Sequence, residues 1–340
     1  MAQNSARPGQ LRYAEPRGVA LLARYFTPAV ITLAAVVTSS LAQEPSRAQE
    51  AAAFTVPDDV SERKATIWSD GTRMAAHLYA PKSASGRFPT IIMAYGWGGT
   101  MERLRPEAAA IAQAGYLVVV FDYRGWGESD SRVILADPEP AERPNRFLAE
   151  VIAVREILDP LAEVEDLANV VHWVQAEPQS DASRIGLWGT SFGGGIAAYV
   201  ACYDHRIKAL HAQVAPLELH ALDQIGYRDG TRRARGELGF PAPGLVAVSG
   251  LRGAPIAEHF LRYAPAQILN LAPDCAVQIV LAGKEELFDV GPVIAAHASF
   301  QGANKNLVVI PDAGHYDLYG KARAAARRLA LQWFDRYLRN

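Results

Sequence analysis

Runs of strand length that are nearly unbroken in apolar, β-branched residues recur along the chain, with helical patterns between them. TIIMAY (Thr90 to Tyr95) and YLVVVFDY (Tyr116 to Tyr123) are two such runs. A strand with one face in water alternates apolar and polar residues, whereas a strand without alternation is buried on both faces. Between these two, MERLRPEAAAIAQAG has apolar residues at helical spacing and ends at Gly115, a residue suited to a helix C-cap. The alternation continues with EVEDLANVVHWVQAE as helix, RIGLWG as strand and FGGGIAAYVACY as helix. IKALHAQVA, AVQIVLAG and NLVVIP follow as strands, and an amphipathic helix spans Lys321 to Leu338. Strand, helix and strand in succession require right-handed crossovers, which build a mainly parallel sheet covered by helices. With 340 residues, half of them apolar, there is enough material for one large core. The expected class is α/β, as one domain over residues 66–340 with a linker and N-terminal extension at 43–65.

Two segments break the alternation. Residues 130–161 carry several prolines and charges, and the stretch from Leu217 to Ala272 is far longer than the usual connection. An insertion of that size is expected to cap the functional site. At the N-terminus, Arg7, Arg12, Arg17 and Arg24 precede the apolar run Ala29 to Ala42, which ends in Ser40, Leu41 and Ala42. This pattern predicts an export signal over 1–42 with cleavage after Ala42, hence a periplasmic or secreted protein with no stable membrane span once the signal is removed. The alternative is a retained membrane anchor, since Val19 to Phe26 adds apolar length across Arg24. The net charge of −2, with both signs interspersed, leaves no basic stripe for nucleic acid. Cys202 and Cys275 are the only cysteines, and their spacing does not say whether they pair or remain buried thiols. It says nothing of oligomeric state either.

The chemistry-bearing motif is Gly189-Thr190-Ser191-Phe192-Gly193, placed between the strand RIGLWG and the small-residue helix that follows. A serine on a sharp strand-to-helix turn is held in a strained conformation, and glycines two residues away remove β-carbons that would collide there. The helix start aims amide dipoles at the place where negative charge develops. A serine hydroxyl needs a base. His172 and His211 sit inside apolar or helical patterns and are expected to be structural, whereas His315 lies in the loop DAGHYD between the last strand and last helix. It is the expected base. The imidazole in turn needs a carboxylate. LAGKEELFD offers Glu285, Glu286 and Asp289, with Glu285 favoured by its distance past the strand, Glu286 a close second and Asp289 third. An oxyanion hole needs two backbone N–H groups, and Phe192 supplies one. The glycine-rich loop YGWGG supplies the other, expected from Trp97, with Gly96, Gly98 and Gly99 letting the backbone approach.

From about Thr66 onward the chain resembles an α/β-hydrolase, in particular dienelactone-hydrolase-like, acetylxylan-esterase-like and Xaa-Pro-dipeptidyl-peptidase-like members. SDGTRMAAHLYAP, YGWGG, FDYRGWGESD, GLWGTSFGG, KEELFD and DAGHY carry the likeness, in order and spacing. The resemblance implies Ser191 as nucleophile, His315 as base, an acid in the KEEL loop, and the Phe192 and Trp97 amides as oxyanion hole. Tyr95 stands where a histidine is common, and glutamate where aspartate is more frequent. No G-x-G-x-x-G or G-x-x-x-x-G-K-[ST] spacing is present for a nucleotide, and no H-E-x-x-H for zinc. The expected activity is hydrolysis of a small-molecule carboxylic ester without cofactor or metal. A peptidase reading, with Glu218 and Asp223 holding a substrate amine, and a non-catalytic binding protein on the same fold are the alternatives. Trp97, Trp126, Phe192 and the insertion are candidates to line an apolar pocket, with a place in the core as the equal alternative for the aromatic residues.

Overall fold

The central sheet orders its strands β1-β2-β4-β3-β5-β6-β7-β8, where β1 is Val60–Ser69, β2 Thr72–Pro81, β3 Phe88–Ala94 and β4 Leu117–Phe121. The remaining strands are β5 (Ser180–Thr190), β6 (Ile207–Gln213), β7 (Ala276–Ala282) and β8 (Lys305–Ile310). β2 runs antiparallel to β1 and β4, and every other pairing is parallel. The computed structural model describes residues 54–83, 86–241 and 251–339, and the leader expected at 1–42 lies outside them.

Parallel strands with no alternation are covered on both faces. Along β4, Leu117, Val119 and Phe121 face one apolar layer, and Val118 and Val120 face the other. Helix α1 (Arg105–Gln113) contributes Ala108 and Ile111 to the second layer. Helices α2 (Pro160–Ala176) and α3 (Phe192–Tyr203) contribute Leu167, Val171 and Ile196 to the first. Each such aliphatic side chain stabilises the fold by about 1.5–3 kcal/mol on full burial. Asp159 starts α2 by accepting from the Leu161 and Ala162 amides, and Gly115 ends α1's turn at φ 95° with its N–H on Ala112.

The sheet begins at Val60, inside the segment expected to be a linker. β1 and β2 form a hairpin through Asp70 and Gly71, both at positive φ (46° and 75°), which suits the twist of a two-residue turn. The Asp-Gly pair was the available signal. β1 hides it because, as an edge strand, it carries Glu62, Arg63 and Lys64 rather than an apolar run. The proline-rich segment contains a two-stranded ribbon outside the sheet, Arg132–Leu135 against Val151–Val154. From the long insertion come α4 (Asp223–Ala234) and a short strand, Ala254–Pro255, parallel to Ile157–Leu158. Further on are α5 (Gly291–Ser299) and α6 (Arg323–Phe334), the latter shorter than the Lys321–Leu338 helix expected, since a wider turn takes over at Asp335–Arg339. Cys202 and Cys275 are free, buried thiols, pushed up to about 12 by burial.

His211 is buried in the sheet, its ring stacked on Trp188 with centroids 6.3 Å apart. Gln278 Nε2 donates to its Nδ1 at 2.8 Å, so the ring's proton is on Nε2, facing Gln213 Oε1 at 3.4 Å. Burial lowers its pKa from 6.5 to about 4. As pH falls through 6.5, the unfolded chain takes up this proton while the folded chain does not. The stability contribution is therefore intact above pH 6.5 and lost between 6.5 and about 4. Urea unfolding of wild type and His211→Gln at pH 7 and at about pH 4.5 should show the wild type losing roughly 2 kcal/mol more than the variant. Parallel pH dependence would contradict this.

Candidate active site

Ser191 follows β5, Trp97 follows β3, Glu285 follows β7 and His315 follows β8. Because these strands are parallel, all four loops leave the same edge of the sheet, the edge at which open α/β sheets hold their ligands.

Ser191 sits between β5 and α3 at φ 51° and ψ −131°, a conformation that costs a non-glycine residue on the order of 1–3 kcal/mol. Its N–H donates to Gln213 O at 2.9 Å, and its carbonyl accepts from the Gly194 amide at 2.8 Å. The glycines make the turn possible. A Cβ on Gly189 would lie 2.5 Å from Gly193 O, and one on Gly193 would lie 2.2 Å from Tyr95 O. Phe192 is the first residue of α3, so its N–H has no intrahelical acceptor. Gly96 rests against the serine, since a Cβ there would meet Ser191 Cβ at 2.8 Å. The structure thus brings the Tyr95–Trp97 loop beside Ser191.

His315 is buried and opens a short helical turn, His315–Tyr319. Its Nε2 lies 3.0 Å from Ser191 Oγ, and its Nδ1 lies 2.8 and 3.0 Å from the two oxygens of Glu285. A carboxylate only accepts, so Nδ1 carries the proton and Nε2 is free to accept from the serine hydroxyl. The His315 and Glu285 side chains are only 2% and 3% exposed, which keeps water from competing for this pair. Glu285 Oε1 also accepts from the Leu287 amide at 3.0 Å. Glu286 is bound to the same histidine through the backbone, accepting from His315 N at 2.9 Å. Asp289 turns away and accepts from Gly291 N at the start of α5. Asp317 accepts from Gly314 N and pairs with Lys321, contacts that lower its pKa and pin the loop bearing His315.

The insertion passes over the Trp97 loop. Gly98 has the Arg252 carbonyl oxygen against it, at 2.3 Å from where a Cβ would be, and Trp97 Nε1 points at Gly253 O at 3.4 Å. Phe260 stacks on Phe192 at 5.6 Å and lies 6.0 Å from Trp97. Of the two readings open for Phe192 and Trp126, pocket or core, the structure gives the core. Phe192 is 1% exposed, and Trp126 is 3% exposed with its Nε1 on Ile157 O. Only Trp97 of the three is partly open. Glu218 and Asp223 both pair with the exposed His220, at 2.9 and 3.1 Å. Among the described residues, no group of three or more His, Cys, Asp or Glu could hold a metal ion, and no helix is long and apolar enough to cross a membrane.

Sequence reasoning missed Thr190, Gln213 and Tyr319, which surround the serine from behind. Gln213 is the register partner of Thr190 on the neighbouring strand, and the signal for it was a polar residue at the end of the run IKALHAQ.

A family model described as X-Pro dipeptidyl-peptidase (S15 family) matches residues 70–242, just over half of the chain. An uncharacterized 31.7 kDa protein of Escherichia coli, in the traX-finO intergenic region, is 27% identical over 288 residues, or 74% of this chain and 92% of that one. The thiohydrolase aneE of Aspergillus aculeatus is 31% identical over 149 residues, or 44% of this chain and 39% of its own. Among solved structures, the alpha/beta hydrolase GrgF of Penicillium sp. sh18 superposes with a TM-score of 0.62 at 18% identity, covering 83% of this chain and 99% of that one.

The clash at Gly193 sets an expectation. Gly193→Ala should cost about 1–3 kcal/mol through overpacking against the Tyr95 carbonyl, read as a lower melting temperature in calorimetry. An unchanged melting temperature would mean that the Tyr95 loop is not seated on α3 as described.

Proposed function

Because the chain belongs to the X-Pro dipeptidyl-peptidase (S15) family and is a hydrolase of the α/β type, we propose that it cleaves a small-molecule carboxylic ester through an acyl-enzyme on Ser191. His315 is the base and Glu285 the acid that orients it. The observation that carries this reading is the unbroken path from Ser191 Oγ through His315 to Glu285, with both links at hydrogen-bond distance.

In the proposed reaction Ser191 Oγ attacks the ester carbonyl carbon and its proton passes to His315 Nε2. The Phe192 and Trp97 amides stabilise the oxyanion, and Glu285 stabilises the imidazolium. His315 then returns the proton to the leaving alcohol. Water enters, gives a proton to Nε2 and attacks the acyl carbon, and Oγ departs with that proton as the acid is released. Glu286 supports the base by holding its backbone N–H. No cofactor enters this scheme. Trp97, partly open and packed against Phe192 and Phe260, is the proposed apolar contact for substrate.

Peptide cleavage is the second reading, favoured by the family's description. Against it, the two carboxylates considered for a substrate amine are already paired with His220. Nitrophenyl esters of increasing acyl length, assayed beside aminoacyl-proline amides, separate the two. Turnover of the esters is expected, and selective cleavage of the amides would replace the ester assignment. A fluorophosphonate should label Ser191, and absence of labelling would favour a non-catalytic binding protein. We also read residues 1–42 as an export signal, so that the mature chain begins at Gln43; N-terminal sequencing of exported protein checks this.

The two glutamates should separate on substitution. Glu285→Gln is expected to lower kcat by roughly 10³–10⁴, as loss of the carboxylate behind a catalytic imidazole does. Glu286→Gln, which keeps an acceptor for the backbone N–H, should cost about tenfold or less. Equal effects, or the reverse order, would reassign the acid.

A further inference from the structure

Between the serine turn and the histidine loop, one residue stands in a backbone conformation that its own side chain disfavours. Val214, the residue after β6, has φ 43°. That is the left-handed region, where a β-branched residue is an outlier and glycine the usual occupant. Such a conformation persists only where the surroundings over-determine it.

On the side before Val214, Gln213 is the register partner of both Thr190 and Val280. Its side chain belongs to a polar chain that runs from Asn306 through Gln278 and His211 to Gln213 and Thr190. Its carbonyl accepts from the Ser191 N–H at 2.9 Å, while the Val214 N–H donates to Val280 O at 2.7 Å. Beyond Val214 the chain turns onto the first turn of α3. A Cβ on Gly194 would meet Ala215 Cβ at 2.6 Å, and one on Gly195 would lie 2.6 Å from Pro216 O. Phe192, whose N–H is the proposed oxyanion donor, starts that same turn.

The Val214 side chain is fully buried in an apolar cluster with Val280, Ala313 and Leu318. Ala313 and Leu318 bracket His315 in sequence. The Ala313 carbonyl also accepts from Lys284 N at 2.9 Å, which ties the cluster to the loop that carries Glu285.

We infer that Val214 is a positioning residue for the proposed acyl transfer. Its left-handed backbone sets where the serine turn lies, and its side chain sets where the His315 loop lies, so that Oγ and Nε2 meet at 3.0 Å. Glycine at 214 would take the same φ without strain, but it would leave the His315 loop without this support and open other conformations to the segment. Strain and burial oppose each other at this position, so stability and alignment respond differently to substitution.

This inference rests on Ser191 being the nucleophile, and its test keeps the two claims apart. The rate of fluorophosphonate labelling, kcat and KM on a nitrophenyl ester, and the melting temperature are measured per folded enzyme. The proteins are wild type, Ser191→Ala, Val214→Gly, Val214→Ala and Val214→Thr. Wild-type labelling that is absent, or that survives in Ser191→Ala, overturns the functional reading and this inference with it. With the wild type labelled at Ser191, Val214→Gly is expected to slow labelling and kcat about ten- to a hundredfold, as a displacement of about 1 Å between reacting groups does, with KM changed less than about twofold. Val214→Thr keeps the branched shape while burying a hydroxyl, so it should lower the melting temperature yet hold kcat within about threefold of wild type. A wild-type rate in Val214→Gly, or a loss carried by KM, overturns the positioning role. So does a Val214→Thr rate as low as that of Val214→Gly, because activity would then follow stability rather than shape. Should Val214→Gly or Val214→Thr fail to fold, Val214→Ala carries the test: a drop in kcat of about fivefold or more at unchanged KM supports the role, and wild-type kcat overturns it.

Discussion

The turn at Ser191 is the constraint on which the site depends. A strand must end and a helix begin within a single residue, and the backbone there is strained at φ 51°. Two things hold it. The Ser191 N–H is fixed to the Gln213 carbonyl of the neighbouring strand, and Gly189 and Gly193 leave room for backbone where any Cβ would collide. Everything around the proposed nucleophile is positioned from this point: the start of α3, the Tyr95–Trp97 loop seated on Gly193, and the direction of the side chain toward His315.

The groups that meet Ser191 arrive on other strands of the same parallel sheet. Registers from β3 through β8 place the ends of strands far apart in sequence on one edge, and β3, β5, β7 and β8 each contribute one loop to the site. His315 is fixed three ways: by Glu285 on its side chain, by Glu286 on its backbone, and by Asp317 on the amide of the residue before it. A buried imidazole with so few rotational options is a pre-organised partner for a hydroxyl, because little order remains to be imposed during reaction. The polar chain from Asn306 to Thr190 does similar work inside the sheet. It satisfies buried amide and imidazole groups that would otherwise cost about 1–3 kcal/mol each.

Aromatic packing joins the insertion to this frame. Phe260 and Tyr263 lie against Phe192, at 5.6 and 5.5 Å, so the first residue of α3 is clamped from the outside as well. Burying Phe192 in this way leaves its backbone, rather than its ring, for chemistry. Trp97, packed on Phe192 and Phe260, remains partly open.

The amino-acid sequence by itself determined the α/β class, since β4-type runs such as Leu117–Phe121 are stable only when covered on both faces. It also marked Ser191, because a strand before and a small-residue helix after it give the glycines at 189 and 193 a turn to serve, and it singled out His315 as the histidine in the loop between the last strand and the last helix. The edge hairpin escaped because charged residues on β1 mask its period, and the choice between pocket and core for Phe192 and Trp126 stayed open because an aromatic residue's burial is not written locally. Which glutamate faces the imidazole was decided only by tertiary structure. Glu285 and Glu286 are adjacent and chemically identical, and the direction each points depends on how the loop after β7 meets the loop after β8. Thr190, Gln213 and Tyr319 are likewise unremarkable in sequence. They become one chain of hydrogen bonds because strand register and a single helical turn put them side by side.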